Sequence, residues 1–378
     1  MRIGVDATPL SFPQTGVGTY TANLIRALAE RGGDEVVPLL YRDVHPSFAA
    51  ELRGSPVAFR PEGGRWPMNS VAWMHWALRR RVRRSSFDVC HFTNSAAPWQ
   101  LDCPYVLTIH DAGLWLHPEH HPARRLLALR PVVPRAARRA DAVITVSHAV
   151  KEELVEVLGL AEDKVRVVHP GVSPRFHRVP LPEELARTRQ SCRLPERFVL
   201  CVGALEPRKN LLGLLAAHAT VTSEPALRDV GLVFVGPLGW KNAPFERAIA
   251  GRGPGAPVRV LGPVDGATLV ALYHLAAVLA FPSFYEGFGL PVVEAMACGT
   301  PVVTSNRGAL AEVAGDAAEL VDPTRVDGIA AGLRRVLEDP RHREALRQRG
   351  TRRARAFTWE RAAEQTRAIY AEITGVDA

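Results

Sequence analysis

Apolar residues fall along the chain in short runs, many ending at a turn or polar residue, with helix-spaced stretches between many of them. The runs are Arg2–Asp6, Val36–Tyr41, Asp88–Phe92, Tyr105–Asp111, Asp141–Ser147 and Val165–Gly171. A second set follows at Phe198–Gly203, Gly231–Gly236, Val258–Gly262, Ala277–Ser283, Pro301–Ser305 and Ala318–Asp322. Many carry Val, Ile or Leu at successive rather than alternate positions, the pattern of parallel strands buried on both faces. Helical spacing occupies Thr19–Glu30, Val150–Leu158, Asn210–Ala219 and Pro291–Ala297. The alternation predicts βαβ units and an α/β architecture of doubly wound parallel sheets. It is interrupted once, where Pro174, Pro180, Pro182 and Pro195 cluster with mixed charges. That break predicts a first domain over residues 1–175, a linker over 176–196 and a second domain over 197–357. A length of 378 residues suits two domains. The last helical pattern, 358–374, presents Trp359, Ala362, Ala363, Ile369 and Tyr370, and no strand follows it. It is expected to dock back on the first domain.

With 47% apolar and 23% charged residues the composition is that of a soluble globular protein, which excludes disorder and coiled coil. No apolar run is long enough for a transmembrane helix, and the first residues read as a strand rather than a secretory leader. Five scattered cysteines without metal-ligand spacing suit a reducing cytoplasm. The net charge of +8 sits mostly in residues 1–180, with 23 basic against 17 acidic side chains. Such an excess favours phosphates, nucleic acid or an acidic membrane surface. No nucleic-acid-binding motif accompanies it, so nucleic acid is not expected. Asn69–Arg84 holds Trp73, Met74, Trp76 and five arginines. Its stripe of Val71, Met74, Leu78 and Val82 reads as core, and the aromatic and arginine remainder could rest on an anionic bilayer.

Four constellations carry candidate chemistry. The first is Phe281-Pro-Ser-Phe-Tyr-Glu286-Gly-Phe288-Gly289-Leu290-Pro-Val-Val-Glu294, where a buried strand runs through a glycine-containing loop into a helix. Ligands of open α/β sheets bind beyond the carboxyl ends of strands, and backbone N–H groups of Phe288 to Val292 would face an anion there. Glu294 is placed to accept hydrogen bonds from a diol such as ribose, and Glu286 from a second polyol. The plainer alternatives are a helix-dipole role for Glu294 and solvation for Glu286. The second is Gly203-Ala204-Leu205-Glu206-Pro207-Arg208-Lys209-Asn210, whose adjacent cations suit a diphosphate, with Asn210 as a candidate N-cap. Its alternative is an ion pair between Arg208 and Glu206. The third, Thr15-Gly16-Val17-Gly18, lacks the third glycine and the downstream acid of a dinucleotide fingerprint. Its glycines serve either close approach to a ligand or a tight turn. The fourth is His110-Asp111 at a strand end, either cleft residues or a hydrogen-bonded His beside a capping Asp.

Taken together, these segments resemble the family 4 retaining glycosyltransferases of the GT-B fold. Glu286 and Glu294 match the family's E-x7-E motif, and the likeness extends through Gly299-Thr-Pro-Val-Val and Glu312-Val-Ala-Gly-Asp-Ala. It includes Gly203 to Asn210, His110-Asp111 and Thr15-Gly-Val-Gly, and so nearly the whole chain. Within the family the chain is similar to bacterial polysaccharide and O-antigen mannosyltransferases. The resemblance implies two Rossmann-like domains facing a central cleft, and transfer of a hexose from a nucleotide-diphosphate sugar to a glycan or lipid-linked acceptor. It implies that Arg208 and Lys209 hold the diphosphate, Glu294 the ribose and Glu286 the sugar hydroxyls. His110, beside Asp111, would contact the sugar, and Gly16 and Gly18 would lie near the phosphate. Ala204 stands where many members place an arginine. No cofactor or metal is expected, since the family is described as metal-independent and no Asp-x-Asp motif occurs. The implied setting is cytoplasmic, with the inner membrane face as a candidate surface. The alternatives are an epimerase or phosphorylase of the same fold, or a non-catalytic nucleotide-sugar-binding protein.

Overall fold

The computed structural model describes residues 1–49, 52–59, 72–251 and 258–376; Asn69–Val71, the start of the basic stretch, lie outside the described residues. The chain divides into two compact units. The first comprises Met1–Pro118, Ala123–Gly171 and Thr358–Ala378, the second Glu119–Pro122 and Val172–Phe357.

In the first unit the strands are β1 (Arg2–Asp6), β2 (Glu35–Leu39), β3 (Val89–Phe92), β4 (Tyr105–Ile109), β5 (Ala142–Thr145) and β6 (Val165–Val167). They pair in the order β2-β1-β3-β4-β5-β6, all parallel. The second unit has β7 (Phe198–Val202), β8 (Gly231–Val235), β9 (Val258–Val260), β10 (Val278–Phe281), β11 (Val302–Ser305) and β12 (Glu319–Val321). Their order is β12-β11-β10-β7-β8-β9, again all parallel. Eleven strands lie inside their predicted runs; β2 starts one residue early, at Glu35. All residues of β4, β5, β7, β8, β10 and β11 are buried, which is why these segments read as continuous apolar runs. Strand order reverses between β1 and β3 and between β7 and β10. Such switch points splay the loops beyond the strand ends and open a crevice for ligands.

The stretch 176–196, read from its prolines as a linker, holds the helix Pro182–Ser191, packed on the helix Gly266–Leu275 of the second unit. Pro182 opens that helix, where a missing N–H costs nothing, and the Glu184 carboxylate accepts from the Leu181 N–H at 2.7 Å. The helix Trp359–Thr374 lies in the first unit against Gly16–Arg31. Tyr20 meets the Trp359 ring edge-on at 5.8 Å, and the Tyr370 hydroxyl bonds His91 Nδ1 at 2.6 Å. Of the stripe expected to be core, Leu78 and Val82 are buried, Met74 is partly buried against them and Val71 lies outside the described residues; Trp73, assigned with the aromatic remainder to a bilayer, is instead buried in the first unit's core. Among the described residues no helix is long and apolar enough to cross a membrane.

Candidate active site

The loops following β7 and β10 flank the second unit's switch point and are stitched to each other. Phe284 N–H donates to the Arg208 carbonyl at 2.9 Å, and the Arg208 guanidinium donates to the Tyr285 carbonyl at 2.9 Å. Residues Pro207–Lys209 form one 3-10 turn that ends at Asn210 with φ of 55°, which turns Lys209 back over the sheet end. Gly203, at φ 136°, makes that possible: a Cβ there would sit 3.2 Å from Lys209 Cε. Asn210 does not cap the following helix with its side chain. In its left-handed conformation the amide turns away and donates to the Pro323 carbonyl at 2.6 Å.

Lys209 Nζ meets Glu286 Oε1 at 2.6 Å and lies 4.4 Å from the centre of the Phe281 ring. Arg208 pairs with the other Glu286 oxygen and, through Nε and Nη2, with Glu206 Oε1 at 3.0 and 2.8 Å. Two cations and two carboxylates therefore balance in one small volume. The Lys209 and Glu286 side chains are each only 9% exposed. Burial would raise the Glu286 carboxyl, but Arg208 and Lys209 overcome it and hold the group below the ordinary carboxylate range. Lys209 is lowered by burial, against the pull of Glu286. The ion pair of Arg208 with Glu206 is thus present, but as one arm of a larger cluster rather than a surface pair.

Glu294 occupies a different set of contacts. It is buried on the helix Leu290–Ala297 and accepts a hydrogen bond from the Tyr273 hydroxyl at 2.8 Å. Burial and the neighbouring carboxylate push the Tyr273 hydroxyl well above its usual range, so it stays a donor. The helix starts from Gly289 at φ 101°, where a Cβ would lie 2.5 Å from Leu310. The expected row of N–H groups from Phe288 to Val292 is shorter than the sequence suggested. Val292 N–H is spent on the Gly289 carbonyl at 2.9 Å and Pro291 has none, so those two positions drop out of the row. Phe288 is buried with its ring edge against Phe357 at 5.5 Å.

In the first unit His110 Nε2 bonds the Thr93 carbonyl at 2.8 Å, which requires the proton on Nε2 and leaves Nδ1 an acceptor in the neutral ring. Burial lowers its pKa, so the neutral ring is the working form. Tyr20 packs edge-on to it at 4.8 Å. Asp111 Oδ1 accepts from the Gly113 N–H at 2.9 Å, the capping alternative. Gly18 is explained by packing: a Cβ there would fall 2.4 Å from the Phe48 ring, and its N–H is taken by the Thr15 hydroxyl. Gly16, one turn position earlier, has open space around it. Beneath this rim Asp6 is buried at the end of β1, with one oxygen accepting from Thr8 N–H and the other unpartnered. Burial pushes its pKa up to about 6. Sequence reasoning missed the Tyr273 hydroxyl on Glu294 and the Phe281 ring beside Lys209, because each meets a partner distant in the chain; it also passed over Asp6, whose burial the local sequence does not mark.

Residues 14–176 match the family model described as Glycosyltransferase Family 4, and residues 184–353 that of Glycosyl transferases group 1. The chain is 30% identical over 386 residues to O-antigen chain mannosyltransferase B of Escherichia coli, covering 97% of this chain and 98% of that protein. It is 34% identical over 309 residues to the MMP alpha-(1->4)-mannosyltransferase of Mycolicibacterium hassiacum, covering 76% and 71%. Among solved structures, Anabaena Alr3699/HepE in complex with UDP and glucose superposes with a TM-score of 0.78 at 20% identity, covering 98% and 99%. The two six-stranded parallel-sheet units are those of a GT-B protein, and the chain belongs to the family 4, group 1, glycosyltransferases.

Proposed function

We propose that this glycosyltransferase moves a hexose, mannose by preference, from a nucleoside-diphosphate sugar to a glycan or lipid-linked acceptor with retention of anomeric configuration. The observation that carries the reading is the buried cluster of Arg208, Lys209 and Glu286 at the second unit's switch point. The names of the two mannosyltransferase relatives support mannose, and the UDP and glucose held by HepE support a sugar nucleotide.

In this reading the donor's diphosphate takes over Arg208 and Lys209 from Glu286, and the released carboxylate turns to the sugar hydroxyls. As the bond from the anomeric carbon to the phosphate oxygen breaks, negative charge grows on the diphosphate. Arg208, Lys209 and the N–H groups of Gly289 and Leu290 stabilise it, which is why no metal ion is called for. The acceptor oxygen bonds the anomeric carbon from the face the phosphate leaves, and its proton passes to the departing phosphate oxygen. Glu294 accepts from the ribose hydroxyls. His110 accepts from a sugar hydroxyl through Nδ1, with Asp111 fixing the turn that follows it. Gly16 gives a phosphate room to approach. In this proposal the reaction runs on the cytoplasmic side, the setting that five scattered cysteines suit.

The test is a thermal-shift panel of GDP, UDP, ADP, their sugars and NAD, paired with mass analysis of products on a lipid-linked and a soluble glycan acceptor. A nucleoside diphosphate at a hundredfold its dissociation constant adds about 2.7 kcal/mol. One such nucleotide should stabilise the protein, and Lys209→Ala should abolish the shift. Stabilisation by NAD alone overturns the reading, as does a sugar nucleotide that binds but yields no product on either acceptor. A covalent sugar trapped on any carboxylate overturns the same-face mechanism.

A further inference from the structure

The helical segment that opens with Trp73 has two faces of opposite character. It is π-wound over Trp73–Leu78 and α-helical over Arg79–Ser85. One face, with Trp73, Leu78 and Val82, is core. The other, with His75, Trp76, Arg79, Arg80, Arg83 and Arg84, lines a shallow groove of about 500 Å³. Trp76 is 74% exposed. Trp99, 57% exposed, stacks on His75 with ring centres 4.2 Å apart and extends the aromatic surface beyond the helix.

The charge on this face is poorly balanced from within. No acidic residue occurs between Asn69 and Phe87. Arg83 is paired with Asp102 at 2.9 Å, but Arg80 and Arg84 have no ionic partner among the described residues. Arg80 and Arg84 stand one helical turn apart, as do Arg79 and Arg83, and like charges at that spacing destabilise a helix. A helix serving only the core needs neither that repulsion nor a largely exposed indole. The combination is what an anionic bilayer selects: arginines at the depth of the phosphates, and amphipathic indoles at the boundary between headgroups and acyl chains.

We propose that the face bearing Trp76, Trp99, Arg79, Arg80 and Arg84 docks the protein on a bilayer containing anionic phospholipid. The two tryptophans enter the interface and the arginines meet lipid phosphates. The inference stands on the first unit alone and does not rest on the donor assignments above, though it gives a lipid-linked acceptor a place to be met.

The test is flotation of the full chain with vesicles of phosphatidylcholine alone and of phosphatidylcholine mixed with phosphatidylglycerol. The protein should float only with the anionic vesicles, and less as salt rises. The double variant Arg80→Glu/Arg84→Glu should lower partitioning roughly tenfold or more, since each basic residue near such a surface contributes about a factor of five. Trp76→Ala should lower it by a smaller factor and blue-shift less tryptophan fluorescence on binding. Both variants change exposed positions, so thermal melting and nucleoside-diphosphate binding should match the parent, which separates this result from failure of the donor reading. Wild-type protein that stays with the soluble fraction overturns the proposal. So does a double variant that floats as well as the parent, or tight binding to a duplex oligonucleotide without binding to vesicles.

Discussion

Both sheets gather polar side chains beyond the strand ends at which their order reverses, yet the two rims are made of different chemistry. In the second unit four side chains, Glu206, Arg208, Lys209 and Glu286, pair with each other in a largely buried cluster. In the first unit most of the polar groups are hydroxyls and ring nitrogens. His91 is held between Tyr370 and Thr108 at 2.6 and 2.7 Å, Thr93 donates to the Asp6 carbonyl at 3.0 Å and accepts from Thr21, and His110 leans on Thr93. Burial pushes His91 down to about 3, so it stays neutral, and Asp6 up to about 6, so it holds its proton only below that pH. The contrast follows from one rule: a buried charge survives only beside a counter-charge, and without one the group sheds its charge. A balanced ionic rim can trade one anion for another, a carboxylate for a diphosphate. The other rim has hydroxyls and ring nitrogens to offer, the partners of a polyol.

Glu286→Ala is the change that should break the contrast most severely. It strips Lys209 of its counter-charge, leaves Arg208 only Glu206 and, in the proposed reading, removes the acceptor of the sugar hydroxyls. Transfer should fall by a factor on the order of 10²–10³. Nucleoside-diphosphate affinity should hold or tighten, because the cations no longer have to leave a carboxylate. The unliganded variant should lose about 3–5 kcal/mol in urea titrations, the cost of a buried charge left alone, and diphosphate should restore part of it. Normal transfer by Glu286→Ala would show that the site is misassigned.

In the first unit the corresponding lever is Asp6. Its folded-state pKa of about 6 lies above the ordinary aspartate value of 3.8. Below about pH 4 the carboxyl is protonated in both states and costs nothing. Between about pH 4 and 6 the folded protein binds more protons than the unfolded one, so stability falls as pH rises, to a total of roughly 2–3 kcal/mol. Asp6→Asn keeps the oxygen that accepts from Thr8. It should therefore gain about that amount near pH 8 and match the parent near pH 4, as read from denaturant midpoints. His91 has the opposite slope: neutral when folded, it loses stability as pH falls from about 6.5 toward 3. Equal stability of Asp6→Asn and the parent near pH 8 would mean that this rim carries a counter-charge after all.

What the chain discloses by itself differs between the two levels of structure. Strands buried on both faces write continuous apolar runs, so all twelve were legible to within a few residues, as was the alternation that makes two doubly wound sheets. The glycosyltransferase family was legible for a similar reason, since Glu286, Glu294 and the Gly203–Asn210 turn are local patterns. The contacts that organise those residues were not. Lys209 and Glu286 are separated by 77 residues and meet only because strand order reverses between β7 and β10. Asn210 looked like an N-cap because local sequence cannot show the Pro323 carbonyl that claims its amide. Asp111 conversely makes a local hydrogen bond to Gly113 N–H, whereas Gly18 lies in a helix and packs on Phe48, a contact that the turn reading of its sequence does not contain.

The finest distinction lies within the second unit, between its two glutamates. Glu286 is held by charges and can be exchanged; Glu294 is held by a neutral phenol that nothing in the local sequence marks. Tyr273→Phe removes that one hydroxyl and keeps the ring, and the Thr300 hydroxyl still reaches the residue's carbonyl at 2.7 Å. A hydrogen bond to a charged group contributes about 1.5–3 kcal/mol when its partner is lost, but Glu294 can recover part of this from the ribose. The dissociation constant of the nucleoside diphosphate should therefore rise by about tenfold, with the turnover number of bound donor unchanged, because Tyr273 touches neither sugar nor diphosphate in the proposed reading. A general loosening of the fold would also raise the dissociation constant, so the deciding measurement repeats the titration with the 2′,3′-dideoxyribonucleoside diphosphate. If Tyr273 acts by aiming Glu294 at the ribose, the analogue has already lost that contact and should bind parent and variant alike. If the variant weakens both nucleotides equally, the phenol only supports the helix, and Glu294 is no ribose acceptor held in place by it.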